Sequence, residues 1–242
     1  MRLTRRAFVG CVGNGLAALA AVRHARAADP GAVLESGYTR RDSEITADPN
    51  SPFWSGASRV VADHDYLGRL IPGLATEIRS RWSDHFLYLL FLCPYDELNL
   101  KPDPNPSAET PELWKWDVAE AFIGSDFKYI GRYKEFQVSP QGEWVDLEID
   151  RDNPKVQAGM AWNSGYTVKA RIDAPHKIWY GEMRIPWGSV DTRPPRTGRE
   201  LRIGLFRIAG AGQQKTFYAW RPPIGTSFHV PQAFGTLRLS DS

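Results

Sequence analysis

The chain has 242 residues, of which 42% are hydrophobic and 24% charged, and a formal net charge of +2. That length is enough for one sizeable core, as a single β-sandwich would have. No Lys/Arg cluster points to nucleic acid or an anionic membrane, and no stretch is both long and apolar enough for a good membrane span.

Residues 1–27 read as a removable leader. Thr4-Arg5-Arg6-Ala7-Phe8-Val9-Gly10 is a twin-arginine pattern, and an apolar run leads from it to Ala25-Arg26-Ala27, a small-x-small cleavage signal. An uncleaved amphipathic anchor is the alternative. Loss of Arg2, Arg5, Arg6, Arg23 and Arg26 turns 30 basic against 28 acidic residues into 25 against 28, a net charge of −3. The basic balance therefore belongs to the leader. The expectation is one exported domain over residues 28–242, periplasmic or secreted, monomeric and free of membrane contact once cleaved. Only Cys93 survives cleavage, and its setting in FLYLLFLC argues for an inert buried thiol.

Strand signals run through the rest of the chain. Leu74–Trp82 alternates, and His85–Cys93 is apolar on both faces, as a central strand would be. Trp116–Gly124, Tyr133–Ser139, Trp144–Ile149, Tyr166–Ile172, Ile178–Ile185, Leu201–Ile208, Thr216–Trp220 and Thr236–Leu239 follow, separated by Gly, Pro, Asn and Asp clusters. Pro94–Pro111 and Thr192–Glu200 read as insertions, and Ile185–Val190 as a short helical turn. The predicted fold is all-β: a single antiparallel β-sandwich of the jelly-roll or immunoglobulin-like kind, two packed sheets with little helix. Phe86, Tyr88, Leu90, Phe122 and Val138 are expected to point inward.

The segment Leu113–Gly124, LWKWDVAEAFIG, carries the most chemistry. As one strand it would put Trp114, Trp116, Val118 and Glu120 on one face and Asp117, Ala119 and Ala121 on the other. An indole beside a carboxylate suits a sugar, which has an apolar C–H face and a rim of hydroxyls. The plainer alternative is that both tryptophans are core and Glu120 is solvated. Asp117 is expected as a hydrogen-bond anchor. Trp54, Trp82, Trp144, Trp162, Trp179, Trp187 and Trp220 are expected mostly as core.

The sequence has no GxSxG, HExxH, P-loop or CxxC, and His64, His85, His176 and His229 lack ligand-like spacing. A hydrolase would need paired carboxylates, for which Glu120 with Asp146, Glu148 or Glu182 are candidates.

From about Ile45 to Leu239 the chain resembles the family 9 carbohydrate-binding modules. The motifs that carry this are Ile45-Thr46-Ala47-Asp48-Pro49 with Phe53-Trp54-Ser55-Gly56-Ala57, and Trp114-x-x-Asp117-x-x-Glu120-x-Phe122-Ile123. Phe136-x-Val138-Ser139-Pro140-x-Gly142, Glu182-x-x-Ile185-Pro186-Trp187 and Phe228-His229-Val230-Pro231-x-x-Phe234-Gly235-x-Leu237 follow in the family's order. Ala47 stands where a glycine is expected. The resemblance implies a sandwich that grips a terminal oligo- or polysaccharide unit between two aromatics, Trp114 and Phe228, as an accessory to polysaccharide breakdown. Phe228 departs from the family's usual tryptophan. Glu120 would accept sugar hydroxyls, and Gln137 stands where an arginine often does. The resemblance also implies structural calcium on loop oxygens, for which Asp48, Asp63 and Asp65 are the candidates. The related DOMON-type sandwiches suggest a second reading, a haem b electron-transfer domain with Met160 or Met183 as axial ligand.

Overall fold

The structure, a computed structural model, describes residues 32–153 and 161–241. The expected leader lies outside the described residues. Thirteen strands form among them: β1 Val33–Tyr38, β2 Arg59–Ala62, β3 His64–Asp65, β4 Thr76–Trp82, β5 Phe86–Pro94, β6 Val118–Gly124 and β7 Arg132–Val138. They continue with β8 Trp144–Asp150, β9 Thr167–Asp173, β10 Ile178–Pro186, β11 Glu200–Ala209, β12 Thr216–Ala219 and β13 Gly235–Ser240. The single α-helical turn among the described residues, Trp187–Val190, falls where the sequence placed it.

Two layers face each other. One runs β8-β7-β6-β11-β13, with β12 beside β11; the other runs β4-β5-β10-β9, with β2 beside β4. Most pairings are antiparallel, but β1 pairs parallel to β13 and, through Gly37 and Tyr38, parallel to β4. The sandwich is thus stitched along one side into a continuous path, a mixed sheet rather than a purely antiparallel one. The sequence signalled none of β1, β2 and β3. β1 carries Glu35, Ser36 and Gly37, which are poor strand formers, so its pairing partners set its conformation.

Strand alternation decides what fills the space between the layers. Leu87, Leu89, Phe91 and Cys93 of β5 meet Ala119, Ala121 and Ile123 of β6, with Phe136, Val138, Trp179, Met183, Leu201, Ile203, Leu205 and Leu237 in the same cluster. The layers approach closely at Gly181, where an added Cβ would sit 2.8 Å from Val138 Cγ1. Of the residues expected to point inward, only Val138 belongs to this inter-sheet core. Tyr88 and Leu90 pack outside the second layer with Trp54 and Tyr180, with Phe86 at the edge of that group, and Phe122 packs outside the first layer. Both outer faces are covered as well, so strands apolar on both faces gave no sign of which parity faces the partner sheet. The seven tryptophans expected mostly as core are packed: Trp54, Trp82, Trp179 and Trp187 are buried, and Trp144, Trp162 and Trp220 lie against the main cluster. Cys93 is buried as well, and burial pushes its thiol up to about 12, which suits an inert role.

The motif residue Glu182 has a structural task. Its Oε2 accepts hydrogen bonds from Thr46 N at 2.9 Å and Ala47 N at 2.7 Å, which fixes the amino-terminal segment over the second layer. Ala47 adopts φ 53°, the left-handed region that favours glycine. Glu182→Ala would leave the buried Ala47 N–H without its partner. We expect a loss of about 1–3 kcal/mol of unfolding free energy, measured by urea denaturation, because an unsatisfied buried donor costs roughly that much.

Candidate functional site

The outer face of the first layer carries a cavity of about 590 Å³. Its floor follows from strand register. Glu120 pairs with Gln137 and Phe122 with Glu135, so alternation sends Glu120, Phe122 and Glu135 to the same face. Leu147 and Ile149 of β8, Ile208 of β11 and Phe217 of β12 extend the apolar part of the lining. Ala119 and Ala121, at the alternate positions of β6, enter the inter-sheet core instead.

Trp114 reaches the cavity by a different route from the one expected. Leu113–Lys115 is a 3-10 turn, entered through Glu112 at φ 57° and closed by Trp116 N donating to Leu113 O at 3.0 Å. The strand begins only at Val118. The turn anchors itself by burying Leu113 in the outer cluster and leaves Trp114 half-buried at the cavity wall. Lys215 Nζ holds the turn by donating to Trp114 O at 2.6 Å. Asp117 is the anchor it was expected to be: its Oδ1 accepts from Gly210 N at 2.7 Å.

The segment 226–229 forms the opposite side. Phe228 is buried and stacks on Phe206, centroids 4.2 Å apart and planes 12° from parallel, with Phe217 meeting its edge at 5.7 Å. Tyr66 meets Phe217 at 5.4 Å and lines the cavity too. His229 stacks on Phe122 at 5.0 Å, and its Nδ1 shares a 2.7 Å hydrogen bond with Tyr133 Oη. Arg202 secures the following residues by donating to Pro231 O.

Glu120 and Glu135 are each only 2% exposed. Burial raises both carboxyls, to about 7 for Glu135. Repulsion from Glu135 raises Glu120 further, and Lys215 opposes the shift. Gln137 Nε2 donates to Glu135 Oε1, while Glu135 Oε2 and Gln137 Oε1 have no hydrogen-bond partner among the described residues. His229 Nε2 lies 3.9 Å from Glu135 Oε2, but burial and then Arg151 push the imidazole down to about 4, so at neutral pH it is not a cation.

Of the expected site residues, Trp114, Glu120 and Phe228 therefore come together around one cavity. Gln137 is fully buried behind Glu135 and does not line it. Glu135, Tyr66 and Phe217 were not anticipated. The alternation of Tyr133–Ser139 already put Glu135 on the face of Gln137, but only the β6–β7 register shows that this is also the face of Glu120.

The other expected sites do not assemble. Asp65 Oδ1 accepts from Leu67 N and Arg69 N, and its Oδ2 takes Arg69 Nε; Asp63 meets His64 Nδ1, and Asp48 accepts from Asn50 N. Among the described residues no group of three or more His, Cys, Asp or Glu is placed to hold a metal. Asp146 takes Ser164 N, Glu148 pairs with Lys134, and Glu182 holds the segment over the other layer, so the carboxyl that joins Glu120 in the cavity is Glu135. Met183 is buried in the inter-sheet core rather than at a haem pocket, and Met160 lies outside the described residues.

Residues 48–242 match the model of the family described as "Carbohydrate family 9 binding domain-like". An extracellular protein of Arthroderma benhamiae is 25% identical over 171 residues, which cover 66% of this chain and 76% of that protein. Endo-1,4-beta-xylanase A of Thermotoga maritima is 22% identical over 186 residues, 77% of this chain but only 16% of the xylanase. Among solved structures, a family 9 carbohydrate binding module from Caldicellulosiruptor kristjanssonii in complex with glucose superposes with a TM-score of 0.62 at 13% identity, covering 87% of this chain and 96% of that one. A putative carbohydrate-binding protein from Bacteroides uniformis gives 0.66 at 15% identity, covering 86% and 99%. These likenesses fix the fold as a β-sandwich.

The raised carboxyls make a stability prediction. A carboxyl whose folded value lies above its unfolded value of 4.5 stabilises the fold below that value, and the benefit is lost as pH rises toward about 7. His229 acts with the opposite sign, since its contribution is present above 6.5 and lost as pH falls toward about 4. The difference between wild type and Glu135→Gln cancels the histidine. Urea titrations across this range should show wild type losing stability relative to Glu135→Gln between about pH 4.5 and 7.

Proposed function

We propose that this chain, which belongs to the carbohydrate family 9 binding domain-like family, binds a saccharide in the cavity between Trp114 and Phe228. The observation that carries the reading is a half-buried indole on the wall of a 590 Å³ cavity whose floor presents the Glu120 carboxyl. An aromatic wall accepts the C–H face of a sugar ring, and the carboxyl accepts its hydroxyls. Phe228 offers less than its full face, because one side is stacked on Phe206. Tyr66 and Phe217 supply the remaining apolar surface on that side.

The protein acts as a binding domain without chemistry of its own. Because the chain spans 16% of the xylanase it matches, hydrolysis by that enzyme is not carried over. An accessory role in polysaccharide breakdown suits a binding domain, and export through the twin-arginine leader suits a polymer substrate outside the cell. The likeness to an extracellular protein supports that location.

Stacking on Trp114 contributes roughly 0.5–1.5 kcal/mol and each hydroxyl bond to a carboxylate about 1.5–3 kcal/mol, set against the lost freedom of the ligand. A dissociation constant between about a micromolar and a millimolar follows. Titration with glucose and cello-oligosaccharides, read by tryptophan fluorescence, should saturate in that range. Trp114→Ala should weaken binding about two- to tenfold with unchanged circular dichroism, whereas no binding by the wild type to any saccharide would defeat the reading. For export, mass spectrometry of the mature protein should find its amino terminus within a residue or two of Ala28; an intact Met1–Ala27 segment would contradict the leader.

A further inference from the structure

We propose that the cavity selects an amino sugar, a saccharide whose ring lies on Trp114 and whose ammonium group sits between the Glu120 and Glu135 carboxyls. The inference rests on the saccharide-binding reading above and names the substrate class of that site.

The polar groups of the floor are two carboxyls, which accept hydrogen bonds wherever they are ionised. Glu120 and Glu135 both line the cavity, and Glu135 Oε2 is buried without a hydrogen-bond partner among the described residues. Directly behind it Gln137, with no exposed surface, turns its only donor group to Glu135 Oε1 and leaves its own Oε1 unpartnered. An occupant that supplies donors, and above all positive charge, satisfies this arrangement better than one that is only a neutral polyol.

The basic groups around the cavity do not already supply that charge to Glu135. Lys215 directs its Nζ to Trp114 O and acts electrostatically on Glu120. Arg151 is exposed and lies beside Tyr133 and His229. Tyr133 and His229 bond to each other, and His229 is neutral near pH 7. Among the described residues, Glu135 has the amide of Gln137 as its hydrogen-bond donor and no cation within ion-pair distance at that pH. Two carboxyls in one buried site repel when both are ionised, and a cation between them removes that repulsion.

The test is calorimetric titration of the full chain with glucosamine, glucose and N-acetylglucosamine at about pH 6.5, just below the raised Glu135 value. Glucosamine should bind at least tenfold more tightly than glucose, and N-acetylglucosamine, which lacks the charge, no more tightly than glucose. In buffers of different ionisation enthalpy, glucosamine binding should release protons, because a cation between the two carboxyls draws both toward ionisation. In Glu135→Gln the preference for glucosamine over glucose should collapse to about twofold or less. Equal affinities for glucosamine and glucose in the wild type overturn the amino-sugar proposal and leave the saccharide reading standing; that comparison needs no variant to fold. If calcium alone binds, with glucosamine failing to compete, the cavity is a metal site and the proposal falls. If none of the three sugars binds, the amino-sugar proposal falls, and the titration with cello-oligosaccharides decides the saccharide reading by itself.

Discussion

Strand β6 lies inside its sheet with both faces covered, so each of its side chains has to suit one of two buried environments. Ala119, Ala121 and Ile123 are small or apolar enough to meet the second layer, and Val118, Glu120 and Phe122 turn to the outer face. A shift of one residue in register would drive Glu120 into the inter-sheet core and expel an alanine to the cavity, at the cost of burying a carboxyl among apolar side chains. The apolar face of β6 therefore fixes the register that delivers the polar one. The same pairing with β7 brings Glu135 beside Glu120.

Holding two carboxyls in a nearly dry site opposes folding, and the surroundings reduce that opposition in specific ways. The raised values favour the protonated form of both carboxyls, which lowers the cost of placing two buried charges side by side. Gln137 donates to one oxygen, and Lys215 draws Glu120 partly back toward ionisation. What is left is an acceptor-rich floor under aromatic walls. A group that donates hydrogen bonds at that point gains what the protein has left unsatisfied, which is how a site costly to the fold becomes a site useful for binding.

The walls depend on contacts that are remote in sequence. The Leu113–Lys115 turn is held by Lys215 and by the burial of Leu113, and the segment carrying Phe228 is held by the stack on Phe206, the His229 bond to Tyr133 and the Arg202 bond to Pro231. Strands near each other in the sheet thus carry the floor, while two irregular segments carry the recognition surface. That division is common where a rigid scaffold positions loops for binding.

Local chemistry was enough to place ten of the strands, the helical turn after Pro186 and the buried character of Cys93, because alternation and turn residues act within a few positions of one another. The convergence of Trp114, Glu120 and Phe228 was legible only through the order of motifs along the chain, and the strand argument offered for Trp114 was wrong in its mechanism, since a 3-10 turn puts it there. Tertiary structure alone decided which parity of each strand faces the partner sheet, that Glu135 and not Gln137 borders the cavity, that β1 joins the two layers in parallel, and that Asp65 engages both its oxygens with Leu67 and Arg69. Each of these depends on pairing register or on how the chain's segments close on one another. Periodicity along one strand cannot encode them, because a strand with both faces buried looks the same from either side.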